Sequence, residues 1–233
     1  YPWITSDEQS IFFTSRRKGS HASSVEADGY FSSDGLYATV MDGKWAKAQN
    51  LGNGVNTSLD EQIVGIKPDG SQLVVYIDHI DQLEDLYSTT KKGVNYPKIQ
   101  SIGENINHEK EYSGSMFETE DGPVLFFVRR DPKTSVGEKD IYTARMLPTG
   151  QWGLPQNIGH NINTKYNEEF PWLSMDGKTL YFSSEGHSSM GGYDLFKSIW
   201  DDDKKEWSKP INLGYPLNTP DDEVQISILP DDR

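Results

Sequence analysis

Five histidines, His21, His79, His108, His160 and His187, are the side chains best suited to move a proton or hold a metal near neutral pH. None stands in a His-Glu-x-x-His or comparable ligand spacing, and three of them sit in loops, where a solvated imidazole is the ordinary case. Serine and aspartate are plentiful, but the sequence has no Gly-x-Ser-x-Gly elbow and no phosphate-cradling glycine loop. Gly191-Gly192 follows Met190 just before an apolar run, which is turn chemistry. Asp201-Asp202-Asp203 has the carboxylates of a calcium-ligand run without the Gly and terminal Glu of an EF-hand loop, and reads as the cap of a hairpin. Without cysteine, thiolate metal sites and cysteine nucleophiles are excluded. This inventory sets the expectation that the chain is not an enzyme and carries no cofactor, metal or catalytic residue.

Binding is better represented than catalysis. Basic residues gather at Arg16-Arg17-Lys18 and at Arg129-Arg130 with Lys133, and Ser184-Glu185-Gly186-His187 occupies a similar context. Arg16, Asp78, Arg130 and Glu185 fall at one equivalent position when the chain is aligned on itself. Alternating charge there favours a structural network of ion pairs, for instance with Glu61 or Glu168, over a rim that a partner reads, though the basic residues of this face on an acidic chain keep the second reading open. The expected interaction face is therefore Arg16, Arg17, Asp78, Arg129, Arg130, Glu185 and His187.

These positions are set by an internal repeat of roughly 50–60 residues. Its clearest thread is Gln49-Asn50-Leu51-Gly52, Gln100-Ser101-Ile102-Gly103, Gln156-Asn157-Ile158-Gly159 and Ile211-Asn212-Leu213-Gly214. An aromatic precedes each at matched spacing: Trp45, Tyr96, Trp152 and Trp207. An Asn and then a Glu follow each: Asn56 and Glu61, Asn107 and Glu111, Asn163 and Glu168, Asn218 and Glu223. Such a segment must carry the chain from the outer edge of one sheet to the inner strand of the next, with Gly supplying positive φ and Asn closing a turn. The Glu can accept backbone N–H bonds where the inner strand begins. A ring of four carboxylates is also the composition of a cation site, but recurrence in every repeat favours the structural role.

After each linker an inner strand ends in a turn and a hydrophobic second strand follows. Asp69-Gly70, Asp121-Gly122 and Asp176-Gly177 are hairpin signals before Leu73-Val74-Val75-Tyr76, Leu125-Phe126-Phe127-Val128 and Leu180-Tyr181-Phe182-Ser183. Ser6-Asp7-Glu8 stands there in the first repeat, which predicts a turn of another type or length. Third strands follow at Gly35-Leu36-Tyr37-Ala38, Asp85-Leu86-Tyr87-Ser88, Asp140-Ile141-Tyr142-Thr143 and Asp194-Leu195-Phe196-Lys197. Four strands joined up and down make a propeller blade. The fold is expected to be all-β: a single β-propeller domain over 1–233, with repeats at about 1–62, 63–111, 112–168 and 169–222, and the first strand of a fifth blade at 223–233. Loops between second and third strands vary most from copy to copy, which marks them for binding.

Composition agrees. Hydrophobic residues make up 34% of the 233 residues, with Gly 21 and Pro 12 as punctuation, which suits several small sheets better than one layered core. A net charge of −14 argues against nucleic acid or anionic lipid as partners, because phosphate binding needs clustered cations. No signal peptide, membrane-spanning run or lipid anchor is present, so direct membrane insertion is not expected; a chain that opens on Tyr1 reads as a piece of a longer protein.

The fourth repeat, from Glu169-Phe170-Pro171-Trp172-Leu173-Ser174 through Asp176-Gly177-Lys178-Thr179-Leu180-Tyr181-Phe182 to Gly192-Tyr193-Asp194-Leu195-Phe196, resembles the WD40-like (PD40, TolB-type) propeller repeat. With Trp207-Ser208-Lys209-Pro210-Ile211-Asn212-Leu213-Gly214 and Asn218-Thr219-Pro220, it is similar to that of OmpA-family envelope proteins of the Bacteroidetes, among them type IX secretion components. The resemblance spans nearly the whole chain. It implies a propeller in a periplasmic, outer-membrane-associated setting, whose partners are other envelope or secretion-system proteins. Peptidoglycan would be bound only through a separate OmpA-like domain that these residues do not include. The matched residues are structural, so no partner transfers with them. Two other readings stay open: a small ligand, sugar or peptide bound in the central channel, and the gating propeller of a peptidase.

Overall fold

A computed structural model describes residues 2–19, 21, 25–77, 86–108, 110–119 and 121–229. They form an all-β fold of four antiparallel sheets, the blades of a β-propeller, in two compact units, Tyr1–Ile102 and Gly103–Arg233.

The first unit holds two blades. Blade one runs β1 (Trp3–Ile4), β2 (Ser10–Ser15), β3 (Asp34–Met41), β4 (Lys44–Trp45) and β5 (Gln49–Asn50). Its expected outer strand is broken in two: β4 pairs the far end of β3 through Val40 and Met41, and β5 the near end through Leu36 and Tyr37. Blade two is β6 (Glu61–Ile66), β7 (Gln72–Ile77), β8 (Leu86–Thr90) and β9 (Gln100–Ser101), paired in that order. Trp3, Phe12, Leu36, Ile63, Ile66, Leu73 and Leu86 form the core, each at most 3% exposed and each contributing about 1.5–3 kcal/mol of burial. Trp3 anchors it by donating its indole N–H to the Ile63 carbonyl at 3.2 Å.

The second unit holds blades three and four. Blade three is β10 (Lys110–Thr119), β11 (Gly122–Arg130), β12 (Asp140–Arg145) and β13 (Gln156–Asn157). Blade four is β14 (Glu168–Leu173), β15 (Thr179–Ser184), β16 (Asp194–Asp201), β17 (Glu206–Trp207) and β18 (Ile211–Asn212). Its outer strand is also split, with Pro210, which has no N–H to give a ladder, between the halves. The first strands β6, β10 and β14 each carry a register shift two or three residues in, a bulge that re-aims the side chains beyond it.

Two expectations are modified. The Ser6-Asp7-Glu8 turn is the same turn as Asp69-Gly70: Glu8 N–H bonds Thr5 O as Gly70 N–H bonds Lys67 O, and Glu8 takes the left-handed conformation at φ 58° that glycine takes at φ 69°. A side-chain acceptor makes this possible, since Asp7 Oδ1 accepts from Thr5 Oγ1 and Gln9 N just as Asp69 Oδ1 accepts from Ser71 N. The Glu223–Leu229 segment begins as a first strand should, with Glu223 N–H on Tyr193 O, yet it joins no ladder among the described residues.

Candidate functional site

The linkers explain why Gly, Asn and Glu recur. Gly52, Gly159 and Gly214 take positive φ, and each carbonyl accepts two N–H groups, from the third and fourth residues onward: Val55 and Asn56, Ile162 and Asn163, Leu217 and Asn218. The turn delivers the Asn side chain to the third strand of its own blade. Asn56, Asn163 and Asn218 pair both amide atoms with the backbone of one residue, the N–H and C=O of Gly35, Ile141 and Leu195 respectively, at 2.8–2.9 Å. The third strand opens with an Asp whose carboxylate is a hub: Asp140 accepts from Asn157 Nδ2 and from the Val136 and Gly137 N–H groups, Asp34 from Asn50 and His21, and Asp194 from Asn212 and Met190.

The glutamates cap the next strand. Thr57 N–H donates to Glu61 and its hydroxyl to the other carboxylate oxygen, and Thr164 and Thr219 do the same for Glu168 and Glu223. Glu61 and Glu168 are fully buried. Ser184 adds a third bond to Glu168 at 2.7 Å, whereas Glu61 faces apolar Ile77 across the ladder. Burial, opposed by the Thr57 bonds, pushes the Glu61 carboxyl up to about 7. Its folded value exceeds the ordinary 4.5, so the folded chain holds this proton more tightly, and stability falls as pH rises from about 4.5 through about 7. Glu61→Gln is therefore expected to match the parent at pH 4 and exceed it at pH 8 by about 1–3 kcal/mol, read from urea unfolding at both pH values. A difference independent of pH would reject this account.

The residues expected on the interaction face divide sharply. Arg16 is held by its own loop, with Glu26 and Asp28 each at 2.6 Å, the Phe31 carbonyl at 3.1 Å and the Tyr30 ring beneath it. Arg17 is exposed, with one long bond to the Ala48 carbonyl at 3.4 Å. Asp78 lies outside the described residues. Arg129 is 5% exposed and points inward, its Nε 2.8 Å from Glu111 Oε1 and its guanidinium on the Asn105 and Ile106 carbonyls. Arg130 faces outward in an exposed pair with Glu138 at 2.7 Å. Glu185 accepts from Asn167 Nδ2 at 2.5 Å. His187 bonds the Ile162 carbonyl at 2.8 Å with its ring against Phe182 and Phe196, and burial lowers its pKa. Asp201 caps the hairpin of blade four, as expected, by accepting from Asp203 and Lys204 N–H.

A feature absent from the sequence reading lies at the other end of blades three and four, among their hairpin turns. There a cleft of about 1040 Å³ opens between the blades. Phe126, Trp200 and Trp207 give it an aromatic side, with Phe126 and Trp207 centroids 6.3 Å apart and Trp200 and Trp207 at 5.3 Å, both edge to face. Asp121 with Arg145 at 3.7 Å, and Lys178 with Asp202 at 2.6 Å, line its rim as pairs. In the first unit the equivalent aromatic pair, Phe12 and Tyr96, is 6.1 Å apart, but the Tyr96 hydroxyl bonds the Gly70 carbonyl and ties the outer strand to the turn. Trp207 has no hydroxyl with which to make that staple. Among the described residues no group of three or more His, Cys, Asp or Glu is placed to hold a metal, and no helix is long and apolar enough to cross a membrane.

No protein-family model matches the chain, and no curated protein matches it. Solved structures do. A glycoside hydrolase aligns at 11% identity over 97% of this chain and 77% of its own, with a TM-score of 0.59. An endo-arabinase from Bacteroides thetaiotaomicron aligns at 12% identity over 91% and 80%, with a TM-score of 0.55. A prolyl endopeptidase aligns at 13% identity over 99% of this chain and a TM-score of 0.50; the chain spans 27% of that protein's length. These likenesses establish the propeller fold and assign no activity. They do correct one expectation: proteins that share the fold are enzymes, so the lack of a catalytic sequence motif does not make this chain a non-enzyme. The physical reason is that a propeller gathers side chains from separate blades, and such a set leaves no contiguous motif to read.

Proposed function

We propose that this propeller is a recognition module of the bacterial cell envelope that docks another envelope or secretion-system protein through the loops between its second and third strands. The observation that carries the reading is the division of the arginines: Arg129 is consumed by the fold, whereas Arg17 stands exposed on its loop and Arg130 at the exposed end of β11, paired with Glu138, in a chain of net charge −14. Local cations on an acidic surface steer a partner and fix its register. The finer placement, a periplasmic and outer-membrane-associated component of type IX secretion resembling PorE, is supported by the repeat sequence quoted above.

Arg17→Glu with Arg130→Glu is expected to leave the unfolding midpoint within about 0.5 kcal/mol of the parent, since both side chains are exposed. The same variant is expected to lose at least about tenfold in the yield of secretion-machinery components cross-linked from outer-membrane fractions and identified by mass spectrometry. Equal yield from the variant rejects the loop face. No secretion component recovered by the parent rejects the envelope reading.

A further inference from the structure

We propose that the cleft between blades three and four is a binding site for a neutral oligosaccharide. It lies at the hairpin-turn end of these blades, opposite the loops discussed above, and does not depend on the docking proposal. Three features of the cleft carry the inference.

The first is its aromatic side. Trp207, 7% exposed, is fixed between Phe126 and Trp200, so Trp200, which is only partly buried, is held against a rigid neighbour. A pyranose presents a face of C–H bonds that carries slight positive charge, and an indole face carries the complementary negative quadrupole. Holding the ring beforehand lowers the ordering cost of a contact.

The second is the charge of the rim. Asp121 with Arg145 and Lys178 with Asp202 are mutually compensated, and the Lys178 ammonium keeps the Asp202 carboxyl below its usual range, so it stays ionised. With Glu118, Asp176 and Lys205 also lining the cleft, four carboxylates face three cations, so the rim offers donors and acceptors side by side with a slight negative excess. That disfavours a phosphate or polyanion and suits vicinal hydroxyls, each of which both donates and accepts. Thr143 and the exposed amide of Gln156 add neutral groups of the same kind.

The third is size. About 1040 Å³ lies at the upper end of small-ligand sites, roughly 300–1,000 Å³, so the cleft has room for several sugar units. The first unit contrasts with it: Tyr96 bonds Gly70, whose turn packs against Thr5 and Phe12, whereas the matching turn glycine of blade four, Gly177, has open space beside it where the cleft lies.

The test is tryptophan fluorescence and calorimetry with cellohexaose, xylohexaose and chitohexaose. At least one is expected to bind saturably with a Kd on the order of 0.1 mM. Trp200→Ala is expected to weaken that binding by about tenfold, and Gln156→Ala, an exposed side chain whose loss leaves the fold intact, by about threefold. Arg17→Glu with Arg130→Glu is expected to leave it unchanged, which separates failure here from failure of the docking reading. Absence of saturable binding by all three, or full affinity in Gln156→Ala together with a folded Trp200→Ala, overturns the proposal.

Discussion

Replacing Arg129 by methionine is expected to cost about 3–5 kcal/mol of stability, the loss typical of stranding a buried charge. The side chains of Arg129 and Glu111 are 6% and 0% exposed, and the Nε to Oε1 distance is 2.8 Å. The guanidinium also holds the carbonyls of Asn105 and Ile106 and lies 5.1 Å from the Phe127 ring centroid and 5.6 Å from that of Tyr142. Methionine fills much of the volume but leaves a carboxylate and two carbonyls without this donor, so the cost is electrostatic and not a cavity. Blade four meets the same need differently: Ser184 takes the position of Arg129, and Thr164 supplies the remaining donors to Glu168. The blade-three linker is one residue shorter between its Asn and Glu and has His108 after Asn107, where blade four has Thr164 after Asn163, so no threonine donor stands there beside Glu111. Arg129→Ser alone should therefore cost as much as methionine, while Arg129→Ser with His108→Thr should recover at least about 1 kcal/mol of coupling. Urea unfolding reads all three variants. A loss below about 1 kcal/mol for Arg129→Met would reject the account of a stranded buried charge.

That arginine also marks the limit of what sequence shows. The four blades, their Asp-Gly hairpins, and the linkers with their Gly, Asn and Glu were all legible, because each copy of a repeat solves the same backbone problem with the same residue types. Arg129 and Arg130 look alike as neighbours at the head of one loop. The second strand, however, continues through Arg130, and successive side chains of a strand point to opposite faces, so one arginine is buried and the other exposed. Trp45, Tyr96, Trp152 and Trp207 are likewise matched in sequence, yet Trp45 is 50% exposed and the other three at most 8%. Position in the repeat sets where the ring is attached, and the neighbouring blade decides whether it is covered. The cleft was invisible for the same reason, since Phe126 and Trp207 meet only through the packing of two sheets.

Asn163→Ala is expected to destabilise the protein by about 3–4 kcal/mol, although the side chain is small and polar. The reason is that this amide acts as a piece of backbone. The fourth strand of each blade is short, and where it ends the third strand still has the backbone N–H and C=O of one residue to satisfy. Asn163 supplies a carbonyl to Ile141 N–H at 2.9 Å and an N–H to Ile141 C=O at 2.8 Å, which is the pairing a further strand residue would give. Its second N–H goes to Asn157 Oδ1 at 2.9 Å, and that oxygen also accepts Gly159 N–H, so the clamp fixes the turn that begins the linker. Alanine leaves a buried N–H and C=O unpaired at about 1–3 kcal/mol each, partly relieved where water enters. Aspartate keeps the shape and the acceptor but turns the donor into a second acceptor, opposed to Ile141 C=O and Asn157 Oδ1 and close to the Asp140 carboxylate hub. Asn163→Asp should therefore be at least as destabilising as alanine at pH 8, and should regain stability on acidification, when its carboxyl carries a proton to donate. Urea unfolding of both variants at pH 5 and pH 8 distinguishes this from simple loss of packing. An aspartate variant as stable as the parent at pH 8 would show that the amide donor does not hold the third strand.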